Sequence, residues 1–169
     1  MSEVLAEWNE TDRPTAMEAM LACCGARRWA AGMVAARPIR NIIELSETAD
    51  RVWATMDEAD WLEAFACHPR IGERKAQHAT AQSAAWSRQE QASVDVARER
   101  VLAELAKGNA RYEELFGFTY IVCATGKSAG EMLEILTRRL ASSKETELRD
   151  AAEQQRQILQ IRLGKWLTT

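Results

Sequence analysis

The sequence predicts an all-α fold, a single compact bundle of about seven to eight helices that forms one domain over residues 1–169. The chain has 29 alanines and 19 glutamates but only 15 valines and isoleucines together, a balance that favours helices. Eight glycines and three prolines are too few for the many turns of a β-sandwich. Five Ser/Thr-x-x-Glu sequences mark helix starts, because the two side chains can cap each other's backbone N–H groups.

The first helices are placed by these caps and by helical periodicity. Thr15 opens a helix that ends near Cys24, where Gly25 is a natural stop. An amphipathic run, Ile42 to Met56, predicts a helix between Pro38 and Thr55. The other four caps are Thr55 with Glu58, Ser87 with Glu90, Ser128 with Glu131, and Ser142 with Glu145.

The last helix is expected to run from Glu145 to about Trp166, with Leu148, Ala152, Gln155, Leu159 and Leu163 on or near one stripe. Two segments do not follow the helical pattern. One, residues 67–83, begins with Cys67, His68 and Pro69. The other, residues 116–124, is apolar and rich in aromatic and β-branched residues, so it is either a short extended piece or the buried start of a helix.

Charge and composition exclude several classes of function. A net charge of -3 and a pI of about 5.6 argue against a nucleic-acid binder. The sequence has no signal peptide and no apolar run of about 18 residues, so we expect a cytoplasmic protein that does not bind membranes. The cysteines and histidines lack the spacing of a zinc site, so we expect no metal.

His68 is a candidate for acid–base chemistry. Because Pro69 favours extended backbone before it, the helix opened near Thr55 should end at His68 and leave the imidazole at its C-terminal end. The negative end of the helix dipole stabilises imidazolium, so His68 is suited to donate a proton near neutral pH. The alternative is a histidine that caps the last carbonyls and has no chemical role.

Ser87-Arg88-Gln89-Glu90-Gln91 has two interpretations as well. As a capping box it needs no ligand. As a polar helix N-terminus it would hold Glu90 ionised, and such a carboxylate could partner a protonated histidine.

Taken together, three motifs resemble those of one family. They are His68-Pro69-Arg70-Ile71-Gly72, Ser87-x-x-Glu90-Gln91, and Asn109-x-x-Tyr112-x-x-x-Phe116-Gly117-Phe118-x-Tyr120-Ile121. In this order and spacing they resemble the 2-oxo-4-hydroxy-4-carboxy-5-ureidoimidazoline (OHCU) decarboxylases, the last enzymes of the route from urate to allantoin. The resemblance extends over nearly the whole chain and includes Trp29, Arg37-Pro38, Arg139-Leu140 and Arg162-Leu163. The chain departs from the family pattern at Ile39 and before Trp29.

The resemblance implies a cofactor-free decarboxylation that yields (S)-allantoin. It assigns His68 as general acid and Glu90 as its partner. The substrate contacts that it implies are Pro69, Ser87, Gln91, Tyr120, Ile121, Val122, Cys123, Ala124 and Arg162. From its position beside an apolar stripe, Arg162 is either a surface residue or one that turns inward to a carboxylate.

Two other functions fit the same sequence. One is a non-catalytic helical interaction module, in which His68, Ser87 and Glu90 only end or cap helices. The other is an enzyme of the same fold that acts on another ureide. A helical surface with six tryptophans is also compatible with a homodimer.

Overall fold

The computed structural model describes residues 2–71, 81–90 and 99–169, apart from the side chains of Glu90 and Glu99. Within these ranges the fold is all-α, as the sequence predicts, with nine helices and no strand. The helices are α1 (Glu3–Glu10), α2 (Arg13–Cys23), α3 (Arg27–Ala35), α4 (Ile42–Trp53), α5 (Glu58–Ala66), α6 (Ala81–Glu90), α7 (Glu99–Phe116), α8 (Ala129–Arg139) and α9 (Lys144–Trp166).

The chain divides into two compact units. Unit 1 comprises the residues up to Ala64 together with Arg156–Thr169, and unit 2 comprises Phe65–Gln155. Helix α9 therefore gives its first half to unit 2 and its second half to unit 1. The single domain over residues 1–169 stays a prediction.

Unit 1 has a core of large apolar side chains. Trp29 of α3 is fully buried, and its indole N–H donates a 3.1 Å hydrogen bond to the carbonyl of Ala49 on α4. Trp8 of α1 packs edge-to-face on Trp166 of α9, with ring centroids 5.7 Å apart. The Trp29 bond satisfies a polar atom that would otherwise be costly to bury.

The starts of α2 and α5 differ from the predicted ones. The carboxylate of Asp12 caps α2 by accepting from the N–H of Thr15, so Thr15 lies inside the first turn. At α5 the corresponding acceptor is Asp57, whereas the Thr55 hydroxyl donates to a carbonyl at the end of α4. Aspartate caps a helix at least as well as threonine, which explains both corrections.

The last two helix starts are close to the predicted ones. Ser128 and Glu131 form the expected capping box at α8, with each side chain bonded to the other residue's N–H. Helix α9 begins at Lys144, one residue before the expected Glu145. Its cap is Ser143 and not Ser142, since the Ser143 hydroxyl accepts from the N–H of Thr146.

Unit 2 is built around an aromatic cluster. Tyr112 of α7 lies at its centre, with ring centroids 4.6 Å from Phe116, 5.6 Å from Phe118 and 5.3 Å from Tyr120. Phe65, near the end of α5, joins the cluster through Phe118 at 5.5 Å. These rings fix the segment after α7 against the helices of the unit.

The segment between α7 and α8 is neither a strand nor the start of a helix. Residues 119–124 have no regular secondary structure, although Tyr120 to Ala124 are all buried. Gly117 (φ +81°) and Gly126 (φ +78°) turn the backbone at its two ends, in a region that glycine adopts without strain. We call Tyr120 to Ala124 the buried segment.

Among the described residues no helix is both long enough and apolar enough to cross a membrane.

Candidate active site

His68 lies where the sequence predicts it, just beyond the end of a helix. Helix α5 ends at Ala66, and the backbone N–H of His68 donates to the carbonyl of Phe65 at 3.1 Å. The imidazole Nε2 lies 2.7 Å from Oε1 of Gln155 on α9. Pro69, which follows, is buried. The backbone of His68 is therefore bonded to its own helix, whereas its imidazole is bonded to a side chain far along the chain.

The loop after His68 is fixed by an ion pair. Nε and Nη2 of Arg70 contact the two carboxylate oxygens of Glu113 on α7, at 2.7 and 2.5 Å. Such a two-point contact restricts the direction of the guanidinium and so of the loop that carries it. The position of His68 is thus defined from both sides, by α5 and by this pair.

Ser87 is not a helix cap. It lies in the interior of α6, where only 2% of its surface is exposed, together with Ser83 and Trp86 on the buried side. The capping-box prediction for Ser87 and Glu90 is therefore wrong. The residues before Ser87 are mostly alanine and glutamine, which are good helix formers, so the helix begins at Ala81.

Two predicted site groups lie outside the described residues. One is the side chain of Glu90, which is the last residue of α6. The other is the whole of Gln91. Their roles stay predictions.

The buried segment is held by side chains through its backbone. The N–H of Cys123 donates to Oε1 of Gln154 on α9 at 2.8 Å, and Nζ of Lys127 donates to the carbonyl of Cys123 at 2.7 Å. Nη1 of Arg139 donates to the carbonyl of Ile121. Because backbone groups make these bonds, the position of the segment does not depend on its own side chains.

Arg139 belongs to a buried ionic network. Its Nε lies 2.8 Å from Oε2 of Glu147 on α9, and the hydroxyl of Tyr112 donates to the same oxygen at 2.6 Å. The Arg139 guanidinium also lies over the ring of Tyr120, with its carbon 5.0 Å from the ring centroid. Burial raises the pKa of both tyrosines, and for Tyr112 the bond to Glu147 raises it further. Both phenols therefore stay protonated at neutral pH.

Two successive residues of α9 connect the two main parts of the predicted site. Gln154 is bonded to Cys123 of the buried segment, and Gln155 is bonded to His68. Adjacent residues of a helix lie in the same turn but point about 100° apart, so His68 and the buried segment are bonded to different sides of one turn of α9.

A pocket of about 340 Å³ opens beside the buried segment. Its wall has about as much polar as apolar surface and includes two residues that hold the segment, Arg139 and Gln154, whereas His68 is not part of it. The lining residues are Val122, Lys127, Ile135, Arg138, Arg139, Asp150, Glu153 and Gln154.

Arg162 lies in unit 1, in the second half of α9. It is 1% exposed, so it is a buried residue and not a surface one. Burial raises the pKa of the nearby Cys23 thiol, and the positive charge of Arg162 opposes that shift. Its predicted contact with the substrate stays a prediction.

The sequence does not reveal the polar residues that support the site, and it assigns no role to Gln154 or Glu147. Gln155 carries one signal, because it lies on the apolar stripe of the last helix and a buried polar side chain needs a partner. The structure shows that both Glu147 and Gln155 are fully buried on α9. In the described part of the chain no three His, Cys, Asp or Glu residues are grouped as a metal site would require.

Comparison with known proteins identifies the family. A sequence profile described as OHCU decarboxylase matches residues 9–164, which is most of the chain. The protein belongs to the OHCU decarboxylase family. Over 145 residues it is 34% identical to the Uric acid degradation bifunctional protein TTL of Arabidopsis thaliana, covering 85% of this chain but only 44% of that protein.

The chain is also similar to other members of the OHCU decarboxylase family. The 2-oxo-4-hydroxy-4-carboxy-5-ureidoimidazoline decarboxylase of Amia calva is 27% identical over 134 residues, which are 79% of this chain and 77% of the relative. A crystal structure of an OHCU decarboxylase in the presence of (S)-allantoin superposes with a TM-score of 0.76 at 32% identity, covering 88% of this chain and 96% of that one. The family of carboxy-lyases and its helical fold are thereby established for this chain.

Proposed function

We propose that the protein decarboxylates OHCU to (S)-allantoin in the degradation of urate, with His68 as general acid and Glu90 as its partner. The observation that carries the proposal is the pair of bonds from α9, Gln154 to the Cys123 amide at 2.8 Å and Gln155 to the imidazole at 2.7 Å. This pair supports one site that combines a proton donor with backbone groups suited to a flat, amide-rich ring.

The substrate carries its carboxylate on a hydroxyl-bearing ring carbon, next to a carbon–nitrogen double bond. When the bond to the carboxylate breaks and CO2 leaves, its electron pair forms a carbon–carbon double bond and the imine pair moves to nitrogen. A proton then adds to the ureido-bearing carbon, and the neighbouring hydroxyl becomes a carbonyl as its proton is transferred to the ring nitrogen that received the imine pair. Because the imine accepts the electrons, the reaction needs no cofactor.

The protein must supply orientation and a proton on one face of the ring. His68 delivers that proton to the ureido-bearing carbon, and delivery from one side sets the (S) configuration. Glu90 stabilises the imidazolium or binds the ureido group. Ser87 and Gln91 contact the ring, Pro69 forms a wall, and Arg162 binds the carboxylate.

The backbone of the buried segment supplies the remaining contacts. Amide and carbonyl groups from Tyr120 to Ala124 match a ring that is itself a series of N–H and C=O groups. The bonds from Gln154, Lys127 and Arg139 hold the segment in one conformation before substrate arrives. Preorganised backbone groups lower the cost of ordering the complex.

The proposal extends to the setting of the enzyme. We propose a cytoplasmic enzyme that acts on a small molecule, binds neither nucleic acid nor membranes, and works as one domain over residues 1–169. The six tryptophans are compatible with a homodimer. In the described structure the four cysteines form no disulfide, which fits a reducing compartment.

The test of the proposal is the identity and handedness of the product. Freshly prepared OHCU is mixed with the purified chain, and the reaction is followed by circular dichroism and by release of CO2. Uncatalysed protonation occurs from both faces and gives racemic allantoin, so a growing (S) signal reports the enzyme alone. Turnover of a different ureide with no action on OHCU would favour the second enzyme hypothesis. A chain inert towards every ureide would favour the interaction module.

A further inference from the structure

Gln155 of α9 is a fully buried amide that bonds to the candidate general acid. None of its surface is exposed, and its Oε1 lies 2.7 Å from Nε2 of His68. Its Nε2 is buried as well and has no hydrogen-bond partner among the residues that the structure describes. Both atoms are attached to one carbon, so this NH2 group also lies beside the imidazole.

An amide oxygen can only accept a hydrogen bond, so the bond to Gln155 requires a proton on Nε2 of His68. In the neutral imidazole the other nitrogen, Nδ1, is then the one without a proton. A proton that His68 gives to a substrate or recovers from water is therefore exchanged at Nδ1.

The NH2 group of Gln155 adds a second observation. Leaving a buried donor unsatisfied costs about 1–3 kcal/mol, and such donors in native structures commonly mark a place that a ligand or water completes. The proposed substrate carries a carboxylate, a hydroxyl and ring carbonyls, any of which can accept from this group.

We propose that Gln155 bridges His68 and the substrate: Oε1 holds the Nε2–H of His68, so that Nδ1 delivers the proton, and the NH2 group donates to a substrate oxygen. This inference rests on the proposed decarboxylation for the identity of the substrate. The tautomer of His68 rests on the orientation of the Gln155 amide, with Oε1 towards the imidazole, and does not depend on which reaction the site performs.

The tautomer is tested first, on the unliganded wild-type chain. Protein labelled with ¹⁵N at histidine has only two imidazoles, and His78→Asn assigns the signals of His68. At a pH where the ring is neutral, Nε2 of His68 should give the signal of a protonated nitrogen and Nδ1 that of an unprotonated one. The opposite assignment would overturn the inference, even if the enzyme is fully active.

Kinetics on three variants test the bridge. Gln155→Met removes both polar atoms, and we expect kcat to fall about 10- to 100-fold because the acid is misoriented. Gln155→Glu keeps an acceptor oxygen but has no NH2, so the His68 tautomer should persist while KM rises. Gln160→Met, further along α9, is the matched control: its side chain bonds to Ser46 and Asp50 within unit 1, and the variant should keep wild-type kcat and KM.

The outcomes separate this inference from the proposed function. If the wild type makes no (S)-allantoin, the proposed function fails while the NMR result still decides the His68 tautomer. If the wild type is active and Gln155→Met, folded by far-ultraviolet circular dichroism, has unchanged kcat and KM, the bridge is wrong and the proposed function stands. If Gln155→Glu has the wild-type KM, the NH2 group of Gln155 does not bind the substrate, and that part of the proposal is wrong.

Discussion

Arg139 and Glu147 form a buried ion pair: Nε of Arg139 lies 2.8 Å from Oε2 of Glu147, and the two side chains are 8% and 0% exposed. Tyr112 donates to the same carboxylate oxygen, and the guanidinium also donates to the carbonyl of Ile121. The pair therefore joins α7, α8 and α9 to the buried segment. A substitution at either residue should therefore change both the stability of the fold and the shape of the candidate site.

Replacing Glu147 should destabilise the fold strongly. Glu147→Gln keeps the shape of the side chain but leaves the Arg139 charge buried without a counter-ion, which typically costs about 3–5 kcal/mol. Thermal and urea unfolding measure the loss. The matched control is Glu145→Gln on the same helix, whose exposed pair with Arg149 is worth at most about 1 kcal/mol. If both substitutions lower the free energy of unfolding equally, the buried pair stabilises the fold no more than the exposed pair does.

The two tyrosines should make the fold sensitive to alkali. Tyr112 and Tyr120 are the only tyrosines, and burial raises the pKa of both above the ordinary value near 10. The folded state holds these protons more tightly than the unfolded state, so the stabilisation is complete below pH 10 and is lost as pH rises above it.

The expected slope is about 1.4 kcal/mol per pH unit for each tyrosine above pH 10. Urea unfolding between neutral pH and strong alkali measures it, and the near-ultraviolet absorbance of phenolate reports ionisation. Cys23, whose pKa burial also raises, adds a similar contribution to this slope, so Tyr112→Phe should reduce the slope by about a third. If both phenols of the folded chain ionise near pH 10, the expected rise of their pKa is wrong.

Two glycines in helices should respond oppositely to the same substitution. A Cβ on Gly108 of α7 would lie 2.4 Å from Cδ2 and 3.2 Å from Cγ of Leu136, a fully buried side chain of α8. A Cβ on Gly164 of α9 would have no neighbour within 4 Å.

Gly108→Ala should therefore lower the melting temperature, since overpacking costs about 1–3 kcal/mol. Gly164→Ala should raise it, because alanine is favoured over glycine in a helix by up to about 1 kcal/mol. Differential scanning calorimetry of the two variants and the wild type shows whether each substitution raises or lowers the melting temperature. A stabilised Gly108→Ala would show that α7 and α8 can separate at little cost.

Gln154 should matter for activity more than for folding. Gln154→Met removes the acceptor of the Cys123 N–H and frees the buried segment to shift. Loss of one such bond is worth about 0.5–1.5 kcal/mol, so we expect kcat/KM to fall by up to about tenfold. Steady-state kinetics measure the change in kcat/KM, with Gln160→Met as the control. A wild-type kcat/KM would mean that the segment is positioned without this bond.

Local features of the fold could be predicted from the sequence because they depend on neighbouring residues. The amphipathic run at Ile42 and the capping box at Ser128 both mark helices that the structure contains. The errors at Thr15 and Thr55 have a local cause too. An aspartate two or three residues away caps better, and a Ser/Thr-x-x-Glu pattern does not say which acceptor is used.

The support of the candidate site could not be predicted, because it is made of distant pairs. His68 and Gln155 are 87 residues apart, and Tyr112 and Glu147 are 35 apart. A helical period shows that position 155 is buried but not which residue faces it. The position of His68 after a helix was predictable, since Pro69 determines it locally.

We expect His68 to give the proton that makes (S)-allantoin, and a comparison of the chain's two histidines tests this role. Freshly prepared OHCU is followed by circular dichroism with the wild type, His68→Asn and, as matched control, His78→Asn, the chain's other histidine. We expect His78→Asn to match the wild type and His68→Asn to form the (S) signal at least about 100-fold more slowly. A His68→Asn variant that forms (S)-allantoin as fast as the wild type would contradict the role of His68 as general acid.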